Sequence, residues 1–372
     1  SEGQVGGFPN RAPQIELNTV GAGGGSIAYL GAGGFLNVGP RSAGAQPGPA
    51  CYGRGGTEPT VTDANVALGR FLTDEPLGGE IVIDVAAAKQ SVAQLAKELA
   101  LDPMVTGEGI LRIAVTRMTG AIKEISVMRG IDPRDFALFA FGGAGPLHAA
   151  QIAEELGIGK VIIPPLPGAF SAYGLLVADR RCDASLTRVM AMDEARFEDI
   201  TDVLSPIRAT VAEELAAEGF GADNVRFETS VDMRFAGQAF ELATPMPESV
   251  QSIDDLVAAF RKVYEERYSH ADDGLIEAVS FRVVGYGLGD KPQLPTAHHG
   301  GDLVQAARGT RSVVFDGRAV QAPVYERDEI PSSIAIPGPA IIQEPGSATV
   351  VIPGYSATRD PSGALILQRE ER

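Results

Sequence analysis

An α/β chain with a β-rich end is what three features of the sequence predict. Phe136–Phe141 is a short, wholly apolar run, Gly142-Gly-Ala-Gly145 turns the chain, and 147–156 keeps helical spacing until Gly157, before Lys160–Ile163. That order of strand, glycine turn, helix and strand is a βαβ unit, whose crossover is right-handed in nearly all cases. Two amphipathic stretches precede it, and residues 311–368 break into short apolar runs separated by Pro and Gly, the signature of antiparallel strands.

In chain order, residues 19–70 are the loop-building region: 17 of the 45 glycines fall in the first 70 residues, which gives a rigid, irregular binding surface rather than linker. Residues 87–101 and 106–129 carry apolar stripes at helical spacing, the second with Ile110, Ile113, Ala114, Met118 and Ile122 placed to pack on a sheet. Phe136–Phe141 reads as a strand covered on both faces, and Pro146 suits the first helical position, where its missing N–H costs nothing. Beyond Asp183 come an acidic helix at 196–219, paired strands at 225–235 and 239–243, a helix at 252–270 and a strand at 278–285. The Pro/Gly segment near 290–310 reads as a linker or mobile loop.

Totals narrow the function. A net charge of −17 repels nucleic acid and anionic membrane over most of the surface, so a phosphate-bearing ligand must be held locally by backbone N–H groups and a few arginines. Two cysteines form neither a disulfide framework nor a metal finger, which points to a reducing compartment, the cytoplasm by default. No apolar stretch approaches the roughly 20 residues of a membrane span.

Several turns could carry chemistry. At Gly142, Gly143, Ala144, Gly145, Pro146 and His148, a glycine turn entering a helix aims N–H groups and the positive end of the helix dipole at one place, which suits a phosphate or the edge of a nucleotide. The same turn also serves as a ligand-free strand-to-helix connection, and His148 serves equally as a contact or as packing. A Rossmann reading is poor, because the strand that should end near an acidic residue ends in Pro164-Pro165. Gly24, Gly25 and Ser26 offer a second backbone nest or a hairpin turn. Arg41, after Gly39-Pro40, is placed to clamp a carboxylate or phosphate, or is a solvated turn residue. Asp63 opens a short helix, where capping is the commoner role and a metal or water-positioning role the rarer one. Cys51 reads as a small buried residue and His298-His299 as a solvated loop.

Taken together, Thr19-Val-Gly-Ala-Gly-Gly-Gly-Ser-Ile-Ala28, Val38-Gly-Pro-Arg-Ser-Ala-Gly-Ala-Gln-Pro-Gly-Pro-Ala-Cys-Tyr-Gly53, Pro59-Thr-Val-Thr-Asp-Ala-Asn65, Phe141-Gly-Gly-Ala-Gly-Pro-Leu-His148, Ser171-Ala-Tyr-Gly-Leu-Leu176 and Gly338-Pro-Ala-Ile-Ile342 resemble the hydantoinase A/5-oxoprolinase family over essentially the whole chain. The resemblance implies one half of an actin/sugar-kinase/Hsp70-like ATPase fold, ribonuclease-H-like, over residues 1–185, and a C-terminal α+β domain ending in a β-rich cap over 186–372. It implies ATP and Mg²⁺, phosphorylation of the oxygen of a cyclic amide such as hydantoin, N-methylhydantoin or 5-oxoproline, and a hydantoinase B-like partner subunit. Related subunits of ketone carboxylases make carboxylation the alternative, and a non-catalytic docking module the second. Asp63 and Arg41 are the expected catalytic residues, Gly142–Pro146, His148, Gly24, Gly25 and Ser26 the nucleotide contacts. Two Asp-x-Gly-Gly-Thr phosphate loops of the family are absent, and residues 1–18 resemble the segment downstream of the second. The expectation is therefore a C-terminal part that needs its N-terminal half for turnover.

Overall fold

The computed structural model describes residues 3–5 and 8–10 (backbone only), 17–71, 73, 76–270, 273–292, 302–332 and 334–370. Residues 293–301 of the expected 290–310 loop, with His298 and His299, lie outside them, while its end is regular structure instead of loop, a short helix Leu303–Ala306 running into the strand Ala307–Phe315. The chain forms two compact units, residues 1–173 with 293–372, and residues 174–292.

In the first unit the βαβ reading holds: Leu138–Phe139 pairs in parallel with Lys160–Ile163, and the helix Gly145–Leu156 connects them. Pro146 stands in the first turn and Gly157 ends the helix in the left-handed region at φ 71°. The helix Val85–Leu99 starts on Asp84, whose side chain accepts from the Ala87 N–H. The long helix runs Pro103–Ile125, earlier than its apolar stripe indicates, because Asp102 caps it and Pro103 opens it.

The β-rich end does not stand apart from this unit. Leu365–Arg369 pairs antiparallel with Lys160–Ile163, giving a five-stranded sheet in the order Ile336–Pro337, Tyr355–Arg359, Leu365–Arg369, Lys160–Ile163, Leu138–Phe139. A four-stranded sheet, Ala307–Phe315, Arg318–Glu326, Ala340–Glu344 and Ser347–Val351, packs Ile341, Ile342 and Val350 into the same core as Leu147, Ile152, Val161 and Ile163. The compact units are thus cut differently from the 185/186 division, since the C-terminal strands complete the sheet of the first half.

One expectation is corrected here. Phe136–Phe141 is not covered on both faces: only Leu138–Phe139 enters the ladder, at the sheet edge, and Phe136, Phe139 and Phe141 are 60%, 45% and 46% exposed. An apolar run looks alike in a central strand and in an edge strand awaiting a neighbour.

The second unit is an antiparallel sheet in the order Arg180–Ala191, Ile276–Gly287, Val225–Phe235, Leu242–Pro245. Helices Phe197–Ala217 and Ile253–Tyr268 bury Ile200, Val203, Leu256 and Phe260 against Val231, Met233 and Phe281. Ser252 caps the second helix by accepting from the Asp255 N–H.

Candidate functional site

The glycine turn has the geometry an anion site needs. Gly142, at φ 89°, donates its N–H to the Pro167 carbonyl at 2.7 Å, which bends the chain out of the strand. The helix then begins at Gly145 with Ala144 as N-cap, a residue whose side chain cannot cap. The N–H groups of Gly143, Ala144 and Gly145 have no acceptor among the described residues, and all three residues are exposed or partly exposed. Three free amides at the positive end of a helix of 12 residues favour a negatively charged ligand.

Beside the turn lies a half-exposed aromatic group. Phe141 and Phe170 have ring centroids 5.7 Å apart, Phe139 and Phe170 5.5 Å, and Phe170 and Tyr173 5.8 Å. Sequence reasoning missed these rings as site residues, because it read Phe141 as strand core and gave the 171–176 motif no role. It also missed Ser347, whose hydroxyl donates to the Gly143 carbonyl at 3.3 Å from 204 residues away.

A second cluster gathers the glycine-rich face. Thr62 donates both its N–H (2.9 Å) and its hydroxyl (3.0 Å) to the Gly24 carbonyl, and Ala43 N–H donates to Gly25 O at 2.8 Å. A Cβ on Gly24 or Gly25 would stand 2.7 Å from the Thr62 or Ser42 hydroxyl, so glycine is what lets the loop lie against its neighbours. Ser26 is buried and spends its hydroxyl inside the loop, accepting from Gly23 N–H at 3.0 Å and donating to Gly21 O at 3.4 Å. The amides of Gly24 and Gly25 have no acceptor among the described residues. Arg41 is exposed on the rim, paired with Glu58 at 2.7 Å and 5.9 Å from the Tyr29 ring centroid.

Asp63 has a different place from a reactive carboxylate. It is fully buried and accepts from the N–H groups of Ala50 (3.1 Å), Cys51 (2.8 Å) and Thr60 (2.9 Å) and from the Thr60 hydroxyl (2.7 Å). With Thr60 as N-cap this is a reciprocal capping box, and it ties the 49–53 turn to the helix Val61–Ala67. Cys51 is buried as expected, and burial together with Asp63 pushes its thiol far up, away from nucleophilic use.

His148 is also removed from any ligand, at 1% exposure, and neither ring nitrogen has a partner among the described residues. Burial, with the Arg70 charge second, lowers its pKa from 6.5 to about 4. The ring is therefore neutral when folded and protonates more readily when unfolded, so this contribution to stability is present above pH 6.5 and is lost as pH falls through 4. Replacing His148 by Leu should remove roughly 3 kcal/mol of acid sensitivity between pH 7 and 4. Urea denaturation of both proteins across that range measures it, and parallel stability curves would refute it.

Among the described residues no group of three or more His, Cys, Asp or Glu is arranged to hold a metal ion. The one carboxylate expected near the site, Asp63, has its lone pairs committed to N–H and O–H donors, so the described residues do not fit Mg²⁺. No helix among them is long and apolar enough to cross a membrane.

The hydantoinase/oxoprolinase family model matches residues 1–184, and the model of its C-terminal domain matches 190–369. Caprolactamase subunit alpha of Pseudomonas jessenii is 39% identical over 261 residues, 69% of this chain and 37% of that protein. A 5-oxoprolinase of Pestalotiopsis fici is 32% identical over 353 residues, 88% of this chain and 26% of that one. The solved nucleotide-free structure of acetone carboxylase superimposes with a TM-score of 0.86 at 26% identity, covering 99% of this chain and 55% of its own. The chain thus spans about half or less of the length of these relatives. Matched along both halves by the family's models, the chain belongs to the hydantoinase/oxoprolinase family.

Proposed function

We propose that this chain is the C-terminal part of the ATPase subunit of an ATP-dependent enzyme that opens a cyclic amide such as hydantoin, N-methylhydantoin or 5-oxoproline. The observation that carries the reading is the set of three acceptor-free amides, Gly143, Ala144 and Gly145, at a helix start beside exposed aromatic rings. Amides of this kind hold phosphate oxygens or the edge of a purine without any positive side chain, which suits a protein of net charge −17.

An amide is a poor electrophile because its nitrogen donates into the carbonyl. Transfer of the γ-phosphoryl group to the amide oxygen breaks the bond to ADP and forms a C–O–P linkage; water adds to the activated carbon, the ring C–N bond breaks as the nitrogen takes up a proton, and a second water hydrolyses the resulting acyl phosphate to the open-chain carboxylate and phosphate. In this reading Gly142–Pro146 receives the nucleotide, the Gly24 and Gly25 amides a second anionic group, and Arg41 swings from Glu58 to clamp a carboxylate or phosphate. Ser26 and Asp63 act by holding backbone and His148 by packing, not by touching substrate. Ligands for Mg²⁺ come from outside the described residues.

Two partners belong to the proposal, an N-terminal half and a hydantoinase B-like subunit, in the cytoplasm. The open edge at Leu138–Phe139 supports the first, since an apolar edge left bare is prone to pair with whatever strand is offered. The likeness to acetone carboxylase favours a second reading, ATP-dependent ketone carboxylation on the same nucleotide turn.

The test has two stages. ATP should slow amide hydrogen exchange at 143–145 in this chain, and unchanged exchange at saturating ATP removes the nucleotide reading. Supplying the N-terminal half and the partner subunit should then give phosphate release that depends on a lactam; dependence on acetone and bicarbonate instead decides for carboxylation.

A further inference from the structure

The turn at Gly142–Gly145 is braced from the far end of the sequence. Ala340–Glu344 and Ser347–Val351 form a hairpin whose tip is Pro345-Gly346, with Gly346 at φ 76°, as a tight turn with Pro first and Gly second requires. That tip lies on the glycine turn: Ser347 donates to Gly143 O at 3.3 Å, and the Gly346 carbonyl stands 3.4 Å and 3.5 Å from where a Cβ would sit on Gly143 and Gly168.

The hairpin is held beside its tip by a buried ion pair. Arg327 Nη1 meets Glu344 Oε1 at 2.6 Å with side-chain exposures of 2% and 3%, and Arg327 Nη2 donates to the carbonyls of Ile163 and Gly363, each at 2.8 Å. The Leu166 backbone faces Glu344 and pulls its carboxyl down, and the next residue, Pro167, accepts the Gly142 N–H at 2.7 Å. The charge pair therefore ties the backbone at 163 and 363 to Glu344, and the Gly142–Pro167 and Ser347–Gly143 bonds join the 142–143 turn to the same two neighbouring segments.

We propose that the 344–347 hairpin is the back wall of the nucleotide turn, with Ser347 and the Arg327–Glu344 pair as positioning residues that keep the Gly143–Gly145 amides facing outward. This rests on the nucleotide reading above. A bond from Ser347 to the carbonyl, not the amide, of Gly143 orients that peptide unit so that its neighbours' N–H groups stay free for a ligand. The cost of burying two charges is otherwise unexplained, because an apolar pair of equal volume would hold a core as well or better.

The probe is a fluorescent ATP analogue bound to the full chain. Ser347→Ala should weaken it by about three- to tenfold, the worth of one hydrogen bond, and speed exchange of the 143–145 amides, while Ser347→Thr keeps both near wild type. Glu344→Gln should weaken binding comparably and also flatten its pH dependence. Burial pushes the Glu344 carboxyl up to about 7 against the pull of Arg327, with Asp328 and Arg359 the other charges facing it. Wild-type affinity should therefore fall relative to Glu344→Gln as pH drops below 7, each pair being compared at one pH so that the titration of ATP cancels. Ser347→Ala with wild-type affinity and exchange, or with a lowered melting temperature alone, overturns the proposal, as does failure of Ser347→Thr to retain binding. Absence of binding by the wild-type chain would instead strike at the nucleotide reading itself.

Discussion

Asp63→Ala should cost about 3–5 kcal/mol of folding stability, a large share of what a domain has to lose. The substitution strips the acceptor from three backbone N–H groups and one hydroxyl at a site with no access to water. It also releases the 49–53 turn from the helix it caps, so the whole glycine-rich face loosens with it. Asp63→Asn should fall between wild type and alanine. Its amide oxygen can serve the three donors to Oδ2, but its NH₂ group then opposes the Cys51 N–H. Denaturant titration measures both variants. A catalytic carboxylate would behave in the opposite way, with Asp63→Asn leaving stability intact, and a loss below about 1 kcal/mol in Asp63→Ala would refute the structural role.

Arg327→Met is expected to destabilise by a similar amount, about 3–5 kcal/mol, because it leaves Glu344 ionisable, buried and without its counter-charge. Replacing both members, Arg327→Met with Glu344→Leu, should recover most of that loss. It should not recover all of it, since the carbonyls of Ile163 and Gly363 also lose their donor. A double-mutant cycle by chemical denaturation reads the coupling between the two positions, expected at about 2 kcal/mol or more. Additive losses would mean that the pair is not the unit that holds the hairpin.

Much of the architecture is local enough to read directly. Pro146 and Gly157 mark the ends of one helix by chemistry that involves only their near neighbours in the chain, whereas the starts set by Asp84 and Asp102 lie ahead of the apolar stripes at 87–101 and 106–129. The βαβ unit follows from apolar runs either side of a glycine turn, and the acidic balance rules out a broad polyanion-binding surface. The free amides of the turn at 142–146 were legible for the same reason, because they follow from the local geometry of a helix start.

Burial and long-range contact were not legible. Asp63 in Pro59-Thr-Val-Thr-Asp-Ala-Asn65 has the residue type of a metal ligand and the spacing of a cap, and only the approach of the Ala50 and Cys51 amides decides between them. His148 is one residue in a helix whose exposed turn adjoins its buried face, so sequence alone left contact and packing equal. Phe136–Phe141 has the hydrophobicity of a central strand but stands at a sheet edge, a matter of which strands lie beside it.

By itself, then, the sequence determined the helices, the glycine turns and the family. Tertiary structure alone decided that the C-terminal strands join the first unit's sheet, that Asp63 is spent on capping, and that Ser347 and Glu344 stand behind the glycine turn. The division has a physical cause: propensity and capping act over a few residues, whereas a hydrogen bond between residues 204 positions apart exists only once the core has brought both strands to the same place.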